Sequence, residues 1–563
     1  MIKTLILIWF FVASPFAYAD SARRDALLAG ADGYDLALPF QDFTPQELAA
    51  ETTRLEGRLH LDMTALSGGF QQVLDTYGVA DNPDTQVRVM PDIDVELVQL
   101  GRQIIPLDQG LIETRHPYFD LIFTPGTTWT EADGRRFISL PFALMEKNAN
   151  CIHNGALLVA VTVDGQASRA LMQVGSETCA YFQFNFWGQY AASWQASELE
   201  GADEILADHR QHLAAQLPKK AIEGLTQDID ITKFSQVSEI ALASMSAFGL
   251  VLDGVHYRSG CDTRLGPYPH CETMVLPSYS LAKSLAGGLG LLRLDALYGN
   301  VSSRPVSSLI PACAGWDDVS LLDLLNMSTG RFESRAAHSD EASEGFAPFF
   351  TLTEGAPKTA FSCEHFKPRA KPGSRWVYHT SDTYLLGVAM NAYLEHEEGL
   401  GADYYRDHLL PIWRELHLSP LLSVMRRTAG SDAEPFTGYG MAFTADDIAR
   451  LAHLLARGDE GLSVKFDQAG LAAAMQRNTR DRGLEAGGKT LRYKNGFWAW
   501  NARESLGCGE DTWLPFFSGF GGITVVLLPG GNVYYYFSDS GVHKFAEPVK
   551  ALSAVTPICG ATR

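Results

Sequence analysis

Strand-forming runs at both ends of the stretch from about 234 to 563, with helix-forming segments between them, constrain this chain most. Near its end, Gly522-Ile523-Thr524-Val525-Val526-Leu527-Leu528 and Val533-Tyr534-Tyr535-Tyr536-Phe537-Ser538 flank Pro529-Gly530-Gly531-Asn532. Two β-branched and aromatic runs around a turn tetrapeptide predict a hairpin. At the other end, Ala247 to Val255 reads as strand, turn, strand. Amphipathic helical segments fall around 318–326, 381–396, 406–416 and 444–457, and a short helix at about 543–554 closes the chain. Strands that bracket helices describe an α+β domain.

The preceding half reads differently. Phe119–Phe123, Arg136–Leu140, Ala156–Val163, Ala170–Val174 and Ala180–Trp187 are short strand signals separated by Gly, Pro, Asp and Asn. Residues 20–200 are therefore expected to form a mostly β domain, an antiparallel sandwich or barrel. Its aromatics Tyr181, Phe182, Phe184, Phe186, Trp187 and Tyr190 read as sheet core in preference to a sugar site. Residues 201–233 are polar and helix-prone, a connector between domains. His209 and His212 on it lack a third ligand nearby and read as solvated helix face, not a metal site.

Lys+Arg number 45 against 66 Asp+Glu, a net charge of −21. Phosphate binding needs clustered cations, so nucleic acid is a poor partner for this chain. Residues 1–19 read as a signal peptide: Lys3 is the charged region, Leu5–Phe16 the apolar core, and Ala17-Tyr18-Ala19 the cleavage site before Asp20. No later stretch looks transmembrane, so no membrane insertion is expected after cleavage. The 8 cysteines form no Cys-x-x-Cys. An even number in an exported chain favours disulfides, most simply Cys151–Cys179, Cys261–Cys271, Cys313–Cys363 and Cys508–Cys559. A periplasmic or secreted protein is expected.

Within the α+β half, Leu276-Pro277-Ser278-Tyr279-Ser280-Leu281-Ala282-Lys283 reads as a loop entering an apolar helix. Residues three apart on a helix share a face, so Lys283 can set its amine beside the Ser280 hydroxyl. A serine hydroxyl needs such a base to become a nucleophile. Ser-x-x-Lys by itself is common. Two further segments follow it in order: Pro372-Gly373-Ser374-Arg375-Trp376-Val377-Tyr378-His379-Thr380, and Phe516-Phe517-Ser518-Gly519-Phe520-Gly521-Gly522 at the hairpin.

In order and spacing these three segments resemble the serine β-lactamase and penicillin-binding protein superfamily. The resemblance is to its class C β-lactamase, DD-carboxypeptidase and esterase branch, which includes hydrolases of aminohexanoate oligomers. Val319-Ser320-Leu321-Leu322-Asp323-Leu324-Leu325-Asn326-Met327-Ser328-Thr329-Gly330 and Tyr439-Gly440-Met441-Ala442-Phe443-Thr444-Ala445-Asp446 also resemble segments of that branch. The resemblance covers about 240–563 and implies a β-lactamase/transpeptidase-like domain at 234–563, an antiparallel sheet with flanking helices and a helical subdomain.

By the resemblance Ser280 is the nucleophile, Lys283 its activating partner and Tyr378 the start of a Tyr-x-Asn element. The asparagine is Thr380 here, which can donate one hydrogen bond to a substrate carbonyl. The strand motif that ordinarily carries a cation is read as Phe520-Gly521-Gly522. Its glycines would admit the substrate backbone, and Ile523 N–H would complete an oxyanion hole with Ser280 N–H. Phe520 cannot clasp a carboxylate, so a neutral small-molecule or peptide-like ester or amide is the expected substrate. The reading is an exported serine hydrolase working through an acyl-enzyme, with no metal or organic cofactor. A cell-wall DD-peptidase or β-lactamase, and a non-catalytic binding or sensor module on the same fold, are the alternatives.

Overall fold

The computed structural model describes residues 16–45, 54–131, 133–162, 164–225, 229–235, 240, 244–430 and 433–560, with only the backbone of 16–20. Most of the expected signal peptide, residues 1–15, lies outside the described residues. A helix, Phe16–Leu28, runs through the expected cleavage point.

The first half builds one antiparallel sheet from β1 (Glu56–Asp75), β2 (Ile93–Leu100), β3 (Gln103–Pro106), β4 (Phe119–Phe123), β5 (Gly126–Thr130), β6 (Arg136–Glu146), β7 (Ile152–Val161), β8 (Ala170–Thr178) and β9 (Phe182–Ala196). The order is β4-β6-β5-β3-β2-β1-β9-β8-β7, and an added β6–β7 pairing closes it into a barrel. Closure removes the edges an open sheet would expose. Phe182, Phe184, Phe186 and Tyr190 lie in the barrel core, as their strand pattern predicts. Tyr181 does not join them among the fully buried residues.

Strands β6 and β7 are buried along their whole length. A two-layer β domain would alternate apolar and polar residues. Here Ile138, Leu140, Phe142 and Leu144 fill the barrel, while Ala143 and Met145 face Val275, Leu421, Val424 and Ala442 of the second half. Both faces are covered, so the run is apolar throughout. The connector is the Ala202–Ala215 helix followed by β10 (Lys219–Ala221). Of the two histidines on it, His209 departs from the expected solvated face. His209 is buried with Nε2 3.0 Å from Gln103 Oε1, and His212 Nδ1 lies 3.0 Å from the His417 carbonyl. The helix packs on β2, which takes the His209 ring out of water and leaves His212 half-exposed.

The second half continues with β11 (Met245–Leu252), β12 (Val255–Arg258), a small ribbon of β13 (Asp262–Thr263) and β14 (Gly266–Pro267), and a second ribbon of β15 (Leu276–Pro277) and β16 (Ala442–Phe443). Its main sheet adds β17 (Leu484–Glu485), β18 (Leu491–Lys494), β19 (Phe497–Asn501), β20 (Trp513–Gly519), β21 (Ile523–Leu527) and β22 (Val533–Ser538). The order is β10-β12-β11-β22-β21-β20-β19-β18-β17. The expected hairpin is β21–β22, with Leu527 opposite Val533. Helices over 321–325, 380–398 and 445–457 lie between β12 and β17, completing the expected α+β domain. The four disulfides pair sequence neighbours as expected.

Candidate active site

The ribbon of β15 and β16 delivers the chain to Ser280. Ser278 N–H donates to the Met441 carbonyl, and Met441 N–H to Ser278 Oγ at 3.0 Å. Tyr279 then takes φ 39°, a left-handed conformation that costs a residue with a Cβ about 1–3 kcal/mol. Something must hold that turn, and the barrel does. Asn150, on the β6–β7 connection, accepts at Oδ1 from Tyr279 N–H (2.6 Å), Ser278 Oγ (3.0 Å) and Gly440 N–H (3.0 Å). Its amide donates to the Met441 carbonyl at 3.2 Å. The chain next tightens into i→i+3 bonds and a π-helical turn, Lys283–Gly288, before the α-helix Leu289–Tyr298. π turns within helices are frequent at functional sites.

The turn leaves Ser280 half-buried and Lys283 buried. Tyr378 Oη donates to Ser280 Oγ at 2.5 Å. Lys283 Nζ lies 5.0 Å from the centre of the Tyr378 ring. The amine donates to Thr380 Oγ1 (2.9 Å), Thr383 Oγ1 (3.3 Å) and the Gly438 carbonyl (3.3 Å). A Cβ on Gly438 would lie 2.5 Å from Thr383 Oγ1 and 3.0 Å from Lys283 Nζ, so only glycine leaves room for this cradle. Burial holds the Lys283 amine down to about 8, against the pull of Glu341 and Asp382. Burial, then the nearby Glu341, pushes the Tyr378 hydroxyl well above its ordinary value. Of the pair, the lysine is the group more readily deprotonated.

Tyr378 is set by its neighbours in sequence and space. Its ring lies 5.4 Å from His338 and 6.5 Å from Trp498. His379, the next residue, is buried with Nε2 3.1 Å from Asp340 and Nδ1 3.7 Å from Asp382, its ring stacked 4.0 Å from Phe366. Burial would lower this imidazole, but the two carboxylates prevail and raise it to about 9.

Thr380 departs from the sequence expectation. It is buried, accepts from Lys283 and donates to Glu341, while its N–H donates to Glu341 Oε2 at 2.9 Å. Its single hydroxyl proton is thus directed at Glu341 in this arrangement. Glu341 was not visible from the sequence, because nothing in its local pattern marks it.

The glycines also depart from expectation. A Cβ on Gly519 would lie 2.9 Å from the Ser278 carbonyl and 3.3 Å from Tyr279 Cβ, so Gly519 is where the strand meets the nucleophile turn. Gly519 pairs with Ile523, which leaves Phe520-Gly521-Gly522 as the three-residue loop between β20 and β21. A Cβ on Gly522 would meet the Val542 carbonyl at 2.6 Å, and one on Gly521 the Ser538 carbonyl at 3.0 Å. These glycines make room for the chain at and after the end of β22. Ile523 is buried inside the sheet on β21, one strand beyond the strand that meets the turn. Ser518-Gly519 is thus the part of this hairpin that lies on a strand against the turn, and Phe520-Gly521-Gly522 follow it in the loop. Counting the ladder back from the β21–β22 hairpin would have found it. Phe520 remains at the site, with its ring 5.6 Å from Tyr279.

Ser518 Oγ lies 3.3 Å from His543 Nδ1. Burial, and then His338, lowers the His543 imidazole. Strand β20 carries no lysine or arginine. Elsewhere Glu146, Cys151, His153 and Cys179 bring their ligand atoms within 4.8 Å of one another, but the two sulfurs are joined in a disulfide.

Solved structures that resemble the chain include a penicillin-binding protein homolog from Caulobacter crescentus (19% identity, 57% of this chain and 94% of that one, TM-score 0.40). Others are a D-stereospecific amidohydrolase from Streptomyces sp. (15%, 58% and 98%, TM-score 0.39) and EstCE1, a hydrolase with promiscuous acyltransferase activity (16%, 62% and 99%, TM-score 0.42). No curated protein matches the chain. The Beta-lactamase family model matches residues 243–542, the span that holds Ser280, Lys283, Tyr378 and β20, and the chain belongs to that family.

Proposed function

We propose that the protein is an exported serine hydrolase that opens a neutral ester or amide through an acyl-enzyme on Ser280. The observation that carries this is the 2.5 Å hydrogen bond between Tyr378 Oη and Ser280 Oγ beside a buried lysine. A serine, a tyrosine and a buried lysine gathered at one turn are the groups that nucleophilic catalysis requires.

In the proposed reaction, neutral Lys283 takes the Ser280 proton, with Tyr378 as the relay. Ser280 Oγ bonds to the carbonyl carbon. The backbone N–H groups of Ser280 and Phe520, where the nucleophile turn and the end of β20 meet, receive the oxyanion. Tyr378 then protonates the leaving alcohol or amine and recovers a proton from Lys283 as the carbon–leaving-group bond breaks. Water repeats the sequence against the acyl-enzyme, releasing the acid and restoring Ser280. The lack of a cation on β20 favours a substrate without a carboxylate. The four disulfides and the signal-like N-terminus support a periplasmic or secreted location.

The test is labelling of the mature protein by a fluorophosphonate and by a fluorescent penicillin, with Ser280→Ala as control. Fluorophosphonate labelling lost in the variant, without penicillin labelling, is expected. Penicillin labelling lost in the variant would replace the reading with a cell-wall enzyme, and labelling by neither would overturn a catalytic Ser280.

A further inference from the structure

The row of aromatic rings that begins at the nucleophile turn crosses from one half of the chain to the other. Tyr279 lies 5.6 Å from Phe520, Phe520 lies 6.4 Å from Tyr181, and Tyr181 lies 5.5 Å from Tyr77. Tyr279 immediately precedes Ser280, and Phe520 follows Gly519, which packs against the Ser278–Tyr279 turn, so the inner end of the row lies beside the turn that carries Ser280. The outer members are open to water. Phe520 is 52% exposed and Tyr77 is 73% exposed.

Folding alone does not call for this arrangement. Phe520 opens a three-residue hairpin loop, a place ordinarily given to polar residues. The loop could satisfy its geometry with the two glycines that follow. Tyr77 stands beyond the end of β1, where a polar residue would serve the barrel equally well. Tyr181 belongs to the run whose other phenylalanines turn into the barrel core. It is half-buried: it packs against that core and also lies 6.4 Å from Phe520, with its hydroxyl bonded to Glu146 Oε2 at 2.7 Å. That bond fixes the ring between Phe520 and Tyr77, the two exposed members of the row. Aromatic rings side by side with faces open bind another ring by offset or edge-on contact, with centroids about 4.5–7 Å apart.

We propose that Tyr77, Tyr181 and Phe520 form a subsite for an aromatic group of the substrate, so that the barrel contributes directly to substrate choice. This deepens the serine hydrolase reading and rests on it for the word substrate. The ring it holds belongs to either the acyl or the alcohol part of an ester. Both present the same chemistry to the row, and the choice between them is an outcome of the test.

Three esters separate the cases: methyl phenylacetate (aromatic acid), benzyl acetate (aromatic alcohol) and ethyl acetate (neither). Turnover by the wild-type protein is followed by acid release. Equilibrium binding of the same esters to Ser280→Ala is read from saturation transfer to the ring protons. The expected result is a kcat/KM for one aromatic ester at least tenfold above that for ethyl acetate. That ratio should fall at least threefold in Tyr77→Ala and further in Phe520→Ala, and both substitutions placed in Ser280→Ala should weaken ring saturation. Both positions are exposed, so the fold should tolerate either change. Turnover with no aromatic preference would overturn the subsite and leave the hydrolase standing. Ring binding that needs Tyr77 and Phe520, without turnover of any ester, would support the subsite and overturn the hydrolase. An aromatic preference or ring binding unaltered in both variants would place the ring elsewhere and overturn the proposal.

Discussion

Asn150 Oδ1 and the backbone N–H of Tyr279 lie 2.6 Å apart, and through that contact the barrel holds the turn that presents Ser280. The two residues belong to different halves of the chain, separated by 129 positions. Tyr279 is in a left-handed conformation that its own side chain disfavours, so an outside acceptor has to stabilise it. Ser278 and Gly440 bond to the same oxygen, tying β15 and the segment before β16 to one point.

Replacing Asn150 with alanine strands three buried donors. Each such group costs about 1–3 kcal/mol when left without a partner. Asn150→Ala should lower stability by at least about 3 kcal/mol and slow fluorophosphonate labelling of Ser280 by about tenfold or more. Asn150→Asp keeps the acceptor and should recover much of the labelling rate. Denaturant unfolding and labelling kinetics measure the two effects separately. Full labelling in a destabilised alanine variant would mean that the turn keeps its shape without the clamp.

Lys283 sets the expected pH dependence of activity. Its amine is held at about 8 by burial, against an ordinary 10.5, so the neutral base form fills in as pH rises through about 8. kcat/KM should therefore climb between about pH 6 and 9 with a midpoint near 8. Glu341 raises the Lys283 value, so Glu341→Gln should move that midpoint to lower pH. Tyr378→Phe removes the relay and should cost about 10²–10⁴ in rate while leaving the fold intact. A flat profile from pH 6 to 9 would contradict Lys283 as the base.

Much of this site was legible in the sequence because its parts are local. Ser280 and Lys283 share one turn, Tyr378 leads a helix, and each cysteine pairs with its neighbour along the chain. The remainder depends on contacts that local pattern does not encode. Asn150 looks like an ordinary turn residue until β6 and β7 bring it to Tyr279. Glu341 comes to Thr380 from 39 residues away. Which glycine packs against the turn was not legible because glycines resemble one another in sequence, and only the ladder register tells Gly519 from Gly521 and Gly522. His209 looked like surface because helix composition does not reveal which face a distant strand will cover.

His379 carries a pH-dependent share of stability. Its imidazole is raised from 6.5 to about 9, so it binds a proton more tightly folded than unfolded. That contribution is fully present below about pH 6.5 and is lost as pH rises through about 9. The shift corresponds to a few kcal/mol at most, about 3 on the usual conversion. Wild-type stability, measured relative to His379→Gln, should shrink between pH 6.5 and 9.5. Because His379 joins Tyr378 to Thr380, the substitution should also lower kcat more than it raises KM. Denaturation midpoints across that range check the first effect, and steady-state kinetics check the second.

The disulfides should divide into one that serves the site and one that serves only the fold. Cys151 follows Asn150 directly, and its bond to Cys179 also anchors the segment that carries Tyr181. Cys508–Cys559 instead ties the end of the chain to the segment before β20. Both close loops of comparable entropy, with separations of 28 and 51 residues, so removing either should cost about 3–4 kcal/mol. Their effects on chemistry should differ. Cys151→Ser with Cys179→Ser should slow labelling of Ser280 several-fold at a temperature where the protein remains folded, because Asn150 loses its anchor. Cys508→Ser with Cys559→Ser should lower the unfolding midpoint without slowing labelling. Equal labelling rates in the two double variants would show that the peptide backbone of the β6–β7 connection holds Asn150 without help from the bridge beside it.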